Sequence, residues 1–269
     1  MGSAMAGRRS MVGPQNLELS VSVAFLTRSL TTEWKHPTAV RAPSSRSCIG
    51  GRFSESTFSV RQREIPDGER RYWRTVMDPK EQLAQVTSLL TPLVEGTDAN
   101  QLDNETPCSD FRVRDLIGHF TFGRFLFAAG MSGDKSRGDE LLGSMPQQFG
   151  DVLGDDHHAT YRDASAQLDT AVGGVEDLGE TVSLVFGDMP AGVALQILSG
   201  DNLVHCWDLA RSTGQDFNPP EDLVEVTAQF MSGFITDDRR AGGGFGPEVQ
   251  VPEDAPALDR LLGLCGRTP

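Results

Sequence analysis

Asp201 and His205 stand four residues apart in a largely apolar stretch of the chain. On a helix that separation puts two side chains on one face in adjacent turns. The same face carries Ala194, Ile197, Leu198 and Leu209, so a carboxylate and an imidazole occupy positions otherwise suited to a core. Burying an unpaired carboxylate is costly. Two arrangements remove that cost: an Asp–His hydrogen bond within the core, or a divalent metal held between the two groups. His119 offers a third ligand, since it shares the inner flank of another apolar stretch with Leu116, Gly123 and Leu126. One imidazole from one helix and a carboxylate plus an imidazole from another can converge inside a four-helix bundle. Three protein ligands would leave one coordination position open, as in catalytic rather than structural sites. The HExxH pattern of zinc proteases is absent.

The neighbours of these residues have simpler readings. Cys206 follows Asp201 by five positions and His205 by one, which turns it about 100° from the ligand face and makes it a packing residue. Trp207 and Asp208 are expected to brace the helix or to pair with Arg211. Asp115, four residues before His119, either accepts the imidazole's other N–H or caps the first turn of its helix. Arg124 either meets an anionic substrate or stands in solvent. His157 and His158 sit together at a polar helix start. The glycine-rich run 242–246 lacks the Lys-Ser/Thr of a phosphate-binding loop.

The elements that must position these groups are helices. Asp78 can cap a helix whose apolar residues Leu83, Val86, Leu89, Leu90 and Leu93 recur at three-to-four-residue spacing until Gly96. A broad apolar stripe with Val113, Leu116, Ile117, Phe120 and Phe127 predicts a helix over 113–129, ended by Gly130 and Gly133. A more polar helix follows over 158–172 and stops at Gly173 and Gly174. Residues 181–186 alternate, with Val182, Leu184 and Phe186 on one side, as in a short strand or extended loop. Asp188 is then expected to cap a helix with Pro190 in its first turn, running to Ser212 or Thr213 with Gly214 just beyond. Further helices are expected over 221–234, after Pro219 and Pro220, and over 255–264. Five or six helices and little strand define an all-α bundle.

Composition divides the chain of 269 residues near Met77. Residues 1–76 hold 12 basic and 6 acidic side chains and residues 77–269 hold 12 and 32, for a net charge of −14. The Arg- and Ser-rich first segment has no sustained apolar period. It is read as a disordered basic extension, resembling a transit peptide or a segment upstream of a true start at Met77. Residues 77–269 are the folded helical domain. A pI near 4.7 argues against nucleic acid or an anionic membrane as a partner, because phosphate binding needs clustered positive charge. No run approaches the roughly 18 apolar residues of a membrane-spanning helix. Cys48, Cys108, Cys206 and Cys265 show no CxxC spacing, so reduced thiols in a cytoplasmic protein are expected. Nothing in the pattern fixes an oligomeric state.

Three segments in combination resemble a known family. TPCSDFRVRDLIGHF (106–120), DNLVHCWDLARSTGQ (201–215) and FGPEVQVPEDAPALDRLLGLCGR (245–267) are similar to the actinobacterial DinB-type metal-binding proteins related to the N-terminal domain of mycothiol-dependent maleylpyruvate isomerase. The resemblance covers residues 77–269. It implies a DinB-like four-helix bundle with additional short C-terminal helices and a metal triad of His119, Asp201 and His205. It also implies a divalent cation, zinc first with nickel or iron as alternatives, and mycothiol as a thiol cosubstrate acting on an electrophilic substrate. Transferase or isomerase activity follows from that reading. The alternatives are a non-catalytic module that binds or senses a metal or small molecule, and a metal-hydroxide hydrolase.

Overall fold

The structure, a computed structural model, describes residues 77–108, 111–185, 187–241 and 245–269. The basic segment 1–76, Phe186 and residues 242–244 of the glycine-rich run lie outside the described residues.

Helix α1 (Pro79–Glu95) starts where expected, because the Asp78 carboxylate accepts hydrogen bonds from Lys80 N and Glu81 N at 2.8 and 3.3 Å. Helix α2 (Val113–Ser132) runs three residues further than the glycines suggested and ends at Gly133, whose φ of 69° is the left-handed closing conformation. Gly130 lies within the helix. A Cβ there would meet Leu184 at 2.3 Å, so this glycine serves close packing and not termination. A short helix α3 (Lys135–Gly143), which the sequence reading omits, follows with only Leu141 buried. Helix α4 (His157–Gly174) begins one residue early, capped by the Asp156 carboxylate on Ala159 N at 2.9 Å. Gly173 and Gly174 are its last residues, and Val175 closes it.

The chain then makes an antiparallel hairpin of β1 (Thr181–Leu184) and β2 (Gly187–Pro190), pairing Thr181 with Pro190 and Leu184 with Gly187. Asp188 sits in β2 opposite Ser183 and caps nothing, contrary to expectation. Helix α5 (Ala191–Thr213) has Pro190 at its cap position. Its first amides are satisfied by backbone, with Ala191 N donating to Glu180 O at 2.8 Å and Gly192 N to Leu178 O at 2.9 Å. These carbonyls replace the side-chain cap the sequence suggested. Helix α5 ends at Gly214, φ 73°. Helices α6 (Glu221–Phe234), α7 (Asp237–Ala241) and α8 (Ala257–Leu264) complete the order, α8 starting after Pro256 and not at Ala255.

The expected all-α bundle is present: α1, α2, α4 and α5 enclose the core, and the short C-terminal helices pack outside it. Leu116, Ile117, Phe120, Tyr161 and Leu209 fill one end of the interior. Leu83, Leu168, Leu195 and Val182 fill the other. Val86, Leu203, Leu223 and Leu261 bind α1, α5, α6 and α8 into a third cluster. Among the described residues no helix is long and apolar enough to cross a membrane.

Candidate metal centre

His119 reaches the interior from α2, and Asp201, His205 and Asp208 reach it from α5. His119 Nε2 lies 3.3 Å from Asp201 Oδ2, and His205 Nε2 lies 3.5 Å from Asp201 Oδ1. Nitrogen and oxygen atoms of the three side chains all fall within 4.8 Å of one another. The helical spacing thus brings together all three residues expected from sequence.

Each group is aimed by its surroundings. His205 Nδ1 donates to Asp208 Oδ2 at 2.8 Å, since an ionised carboxylate can only accept, and this leaves Nε2 toward Asp201. Asp208 is fully buried and also accepts from Arg267 Nη2 and Nε, at 2.9 and 3.3 Å. The His119 ring is held by aromatic contacts with Phe111 and Phe149, at centroid distances of 5.5 and 5.3 Å. Its Nδ1 is buried without a hydrogen-bond partner. The turn Phe149–Leu153 can lie so close because α2 has Gly118 there: a Cβ would meet Phe149 O at 2.0 Å. Asp201 Oδ2 further accepts from Asn202 Nδ2 at 3.3 Å.

The charges are strongly coupled. Burial works against the charged form of His205, but Asp201 and Asp208 overcome it and raise its pKa to about 9. Burial works to raise Asp201, yet His119 and His205 hold its carboxyl well below the usual range. Asp208 is held low against burial by His205 and Arg267. Arg267 is in turn held above its ordinary value by Asp208, against the effect of burial. The carboxylates of Asp201 and Asp208 thus face His205 and Arg267 as opposite charges.

The residues also fit a divalent ion. Two imidazoles and one carboxylate are a borderline-soft donor set suited to zinc. One donor atom from each of the three side chains lies within 4.8 Å of the others, close enough for a single ion to draw them together. The His205–Asp208 bond is the carboxylate–histidine pairing that metal-bound imidazoles commonly keep.

Several neighbours differ from expectation. Arg124 is fully buried, not solvated: Nη1 donates to Asn202 Oδ1 at 2.6 Å, Nε to Ser165 Oγ at 3.0 Å, and the guanidinium lies 4.9 Å from the Tyr161 ring centroid. Asp208 does not pair with Arg211, which instead lies over the Trp207 ring at 5.1 Å. Asp115 accepts from Arg112 N and Gly150 N, both at 3.1 Å, so it is the cap and not the acceptor for His119. His157 and His158 both turn Nε2 to Thr97 O, at 3.0 and 3.1 Å. Cys206 is buried among apolar side chains as expected. Sequence reasoning missed Asp208 as the partner of His205, although the i, i+3 spacing was visible. It missed Arg267 because nothing local links two residues 59 positions apart.

Fold and site together define a helical-bundle protein with an interior His–Asp–His cluster. Residues 83–210 are similar to the family model described as "Mycothiol maleylpyruvate isomerase N-terminal domain". All three clustered residues fall within the match. Two uncharacterized proteins of Mycobacterium tuberculosis, from two strains, are each 29% identical over 196 residues, spanning 71% of this chain and 99% of theirs. Crystal structures of mycothiol-dependent maleylpyruvate isomerase and of a histidine-to-alanine mutant align at TM-scores of 0.45 and 0.43, with 18% and 16% identity. Each alignment covers 58% of this chain and 70% of the other.

Proposed function

We propose that residues His119, Asp201 and His205 hold a divalent cation, zinc by the character of the donor set, and that the protein activates a small thiol of the mycothiol type toward an electrophilic substrate. The observation that carries this reading is the convergence of the three donors within 4.8 Å in the bundle interior; the similarity to that family model supports the choice of thiol. A bound cation would supply Lewis acidity that keeps the thiol as its nucleophilic thiolate at neutral pH. The chain's own residues do the rest. Asp208, fixed by Arg267, keeps the proton on His205 Nδ1 and frees Nε2. Phe111 and Phe149 fix the ring of His119, and Asn202 orients the carboxylate of Asp201.

The buried cysteines are poor nucleophiles in comparison. Burial pushes the Cys206 thiol well above its ordinary value and the Cys265 thiol up to about 12, so both stay protonated at neutral pH. An external thiol fits the reaction better, in a cytoplasmic setting where thiols are kept reduced.

The test is elemental analysis of the wild type and of His119→Ala, Asp201→Ala and His205→Ala, together with an assay of mycothiol consumption with maleylpyruvate and other electrophiles. Stoichiometric metal in the wild type, its loss in the variants, and turnover requiring metal and thiol together are expected. Metal retained by the triple variant would refute the site. The alternatives are a non-catalytic binding module and a metal-hydroxide hydrolase. Bound metal with no thiol reaction would select the first, and turnover without added thiol would select the second.

A further inference from the structure

Arg124 carries a charge into the bundle interior, where its side chain is fully buried. Its hydrogen-bond partners are neutral: Asn202 Oδ1 on α5 at 2.6 Å and Ser165 Oγ on α4 at 3.0 Å, with the guanidinium over the Tyr161 ring. The remaining Nη2 is buried without a hydrogen-bond partner. An arginine stays protonated inside a protein, and burying a charge without a counter-charge is costly. An apolar side chain of similar length would join α2, α4 and α5 without that cost, so packing alone does not account for Arg124.

The Asn202 amide supplies the reason. Arginine can only donate, so the contact of Nη1 at 2.6 Å requires the oxygen of Asn202 and not its NH2. The planar amide then turns Nδ2 the other way, where it donates to Asp201 Oδ2 at 3.3 Å. With the amide reversed, Asn202 would set its NH2 against the guanidinium and its oxygen against the carboxylate, and both contacts would repel. Arg124 and Asp201 thus face opposite ends of one polarised group. Asp201 Oδ2 is also the oxygen 3.3 Å from His119 Nε2.

We propose that Arg124 is a positioning residue: through Asn202 it fixes the direction of the Asp201 carboxylate at the His119–Asp201–His205 cluster, and so sets that cluster's affinity for a cation that it does not itself touch. The inference rests on the metal-centre reading for the cation; the chain of hydrogen bonds stands on its own distances. Two effects of the guanidinium oppose each other at a loaded centre. Its charge repels a cation, whereas its grip on Asn202 holds a ligand in place. Positioning wins if removing Arg124 weakens binding, and repulsion wins if removal strengthens it.

Zinc affinity and melting temperature of the full chain are measured for the wild type, Arg124→Met, Asn202→Ala, the double variant and Thr227→Val. The Asn202 side-chain amide is followed by nitrogen-15 NMR in the metal-free protein, assigned by its loss in Asn202→Ala. Arg124→Met and Asn202→Ala should each weaken zinc binding by about tenfold, and the double variant should be no weaker than Asn202→Ala alone, because both act through one link. Thr227→Val breaks a different buried bond, from Gln82 Nε2 at 2.9 Å; it should lower the melting temperature and leave zinc affinity unchanged. The amide protons of Asn202 should exchange slowly with solvent in the wild type and faster in Arg124→Met. Zinc bound by Arg124→Met as tightly as by the wild type, or more tightly, would overturn the proposal. So would losses that multiply in the double variant, an equal loss in Thr227→Val, or an Asn202 amide unchanged by Arg124→Met. Should Arg124→Met fail to fold, Arg124→Lys, which keeps the charge and loses the planar fork, takes its place with the same expectations. A wild type that takes up no zinc would sink the metal reading, and the Asn202 amide of the metal-free protein would then decide the proposal alone.

Discussion

Asp208 Oδ2 lies 2.8 Å from His205 Nδ1, and this contact decides which imidazole nitrogen faces Asp201. Asp208 is itself held in place by Arg267, and its side chain is wholly buried. The orientation of one expected ligand thus depends on a carboxylate three residues away and a guanidinium from beyond the last helix.

Replacing Asp208 by Asn keeps the shape but removes the charge and lets the amide present either a donor or an acceptor to His205. Zinc affinity, measured by competition with a chelating dye, should fall by about 10–100-fold. Unchanged affinity would mean that Asp208 does not orient the ligand.

The metal-free protein should show a stability plateau bounded on both sides. His205 has its folded pKa raised from 6.5 to about 9, so its contribution is fully present below pH 6.5 and is lost as pH rises through 9. Asp201 and Asp208 have folded values lowered from 3.8; their contribution is present above that value and declines as pH falls below it. Melting temperature followed from acid to alkaline pH should therefore fall at both ends. Added zinc should protect more strongly toward higher pH, because a coordinating imidazole must first give up its proton.

Gly118→Ala places a methyl group where Phe149 O already lies, at 2.0 Å. The turn Phe149–Leu153 must shift, at a cost of about 1–3 kcal/mol. Because Phe149 contacts the His119 ring, zinc affinity should drop along with the melting temperature. A melting temperature equal to that of the wild type would contradict the packing described.

A polypeptide of residues 77–269 should fold with the melting transition of the full chain, since the first 76 residues offer no periodic apolar face to join a helical core. A lower transition would show that the basic segment packs on the bundle.

The long helices were legible because their apolar spacing is strong and because Asp78 and Gly214 are local signals that no tertiary contact overrides. The His119, Asp201 and His205 cluster was legible from two ionisable groups on one apolar face. The start of α5 was not, because backbone carbonyls of Leu178 and Glu180 do the work that Asp188 was expected to do. Arg124 was misread because a buried arginine looks like a solvated one until Asn202, Ser165 and Tyr161 are brought to it by folding. Gly130 was misread because a glycine needed for close approach is indistinguishable in sequence from one that ends a helix.

The Asp208–Arg267 pair also imposes an order in time. Synthesis delivers α2 and α5, with every expected metal ligand, before Arg267 emerges. Until then the Asp208 carboxylate has His205 but no guanidinium, and burying it is correspondingly unfavourable. The bundle interior can therefore reach its final electrostatic balance only after the segment following α8 is made. A nascent or clipped polypeptide that lacks Arg267 would hold His119, Asp201 and His205 without the counter-charge that steadies Asp208.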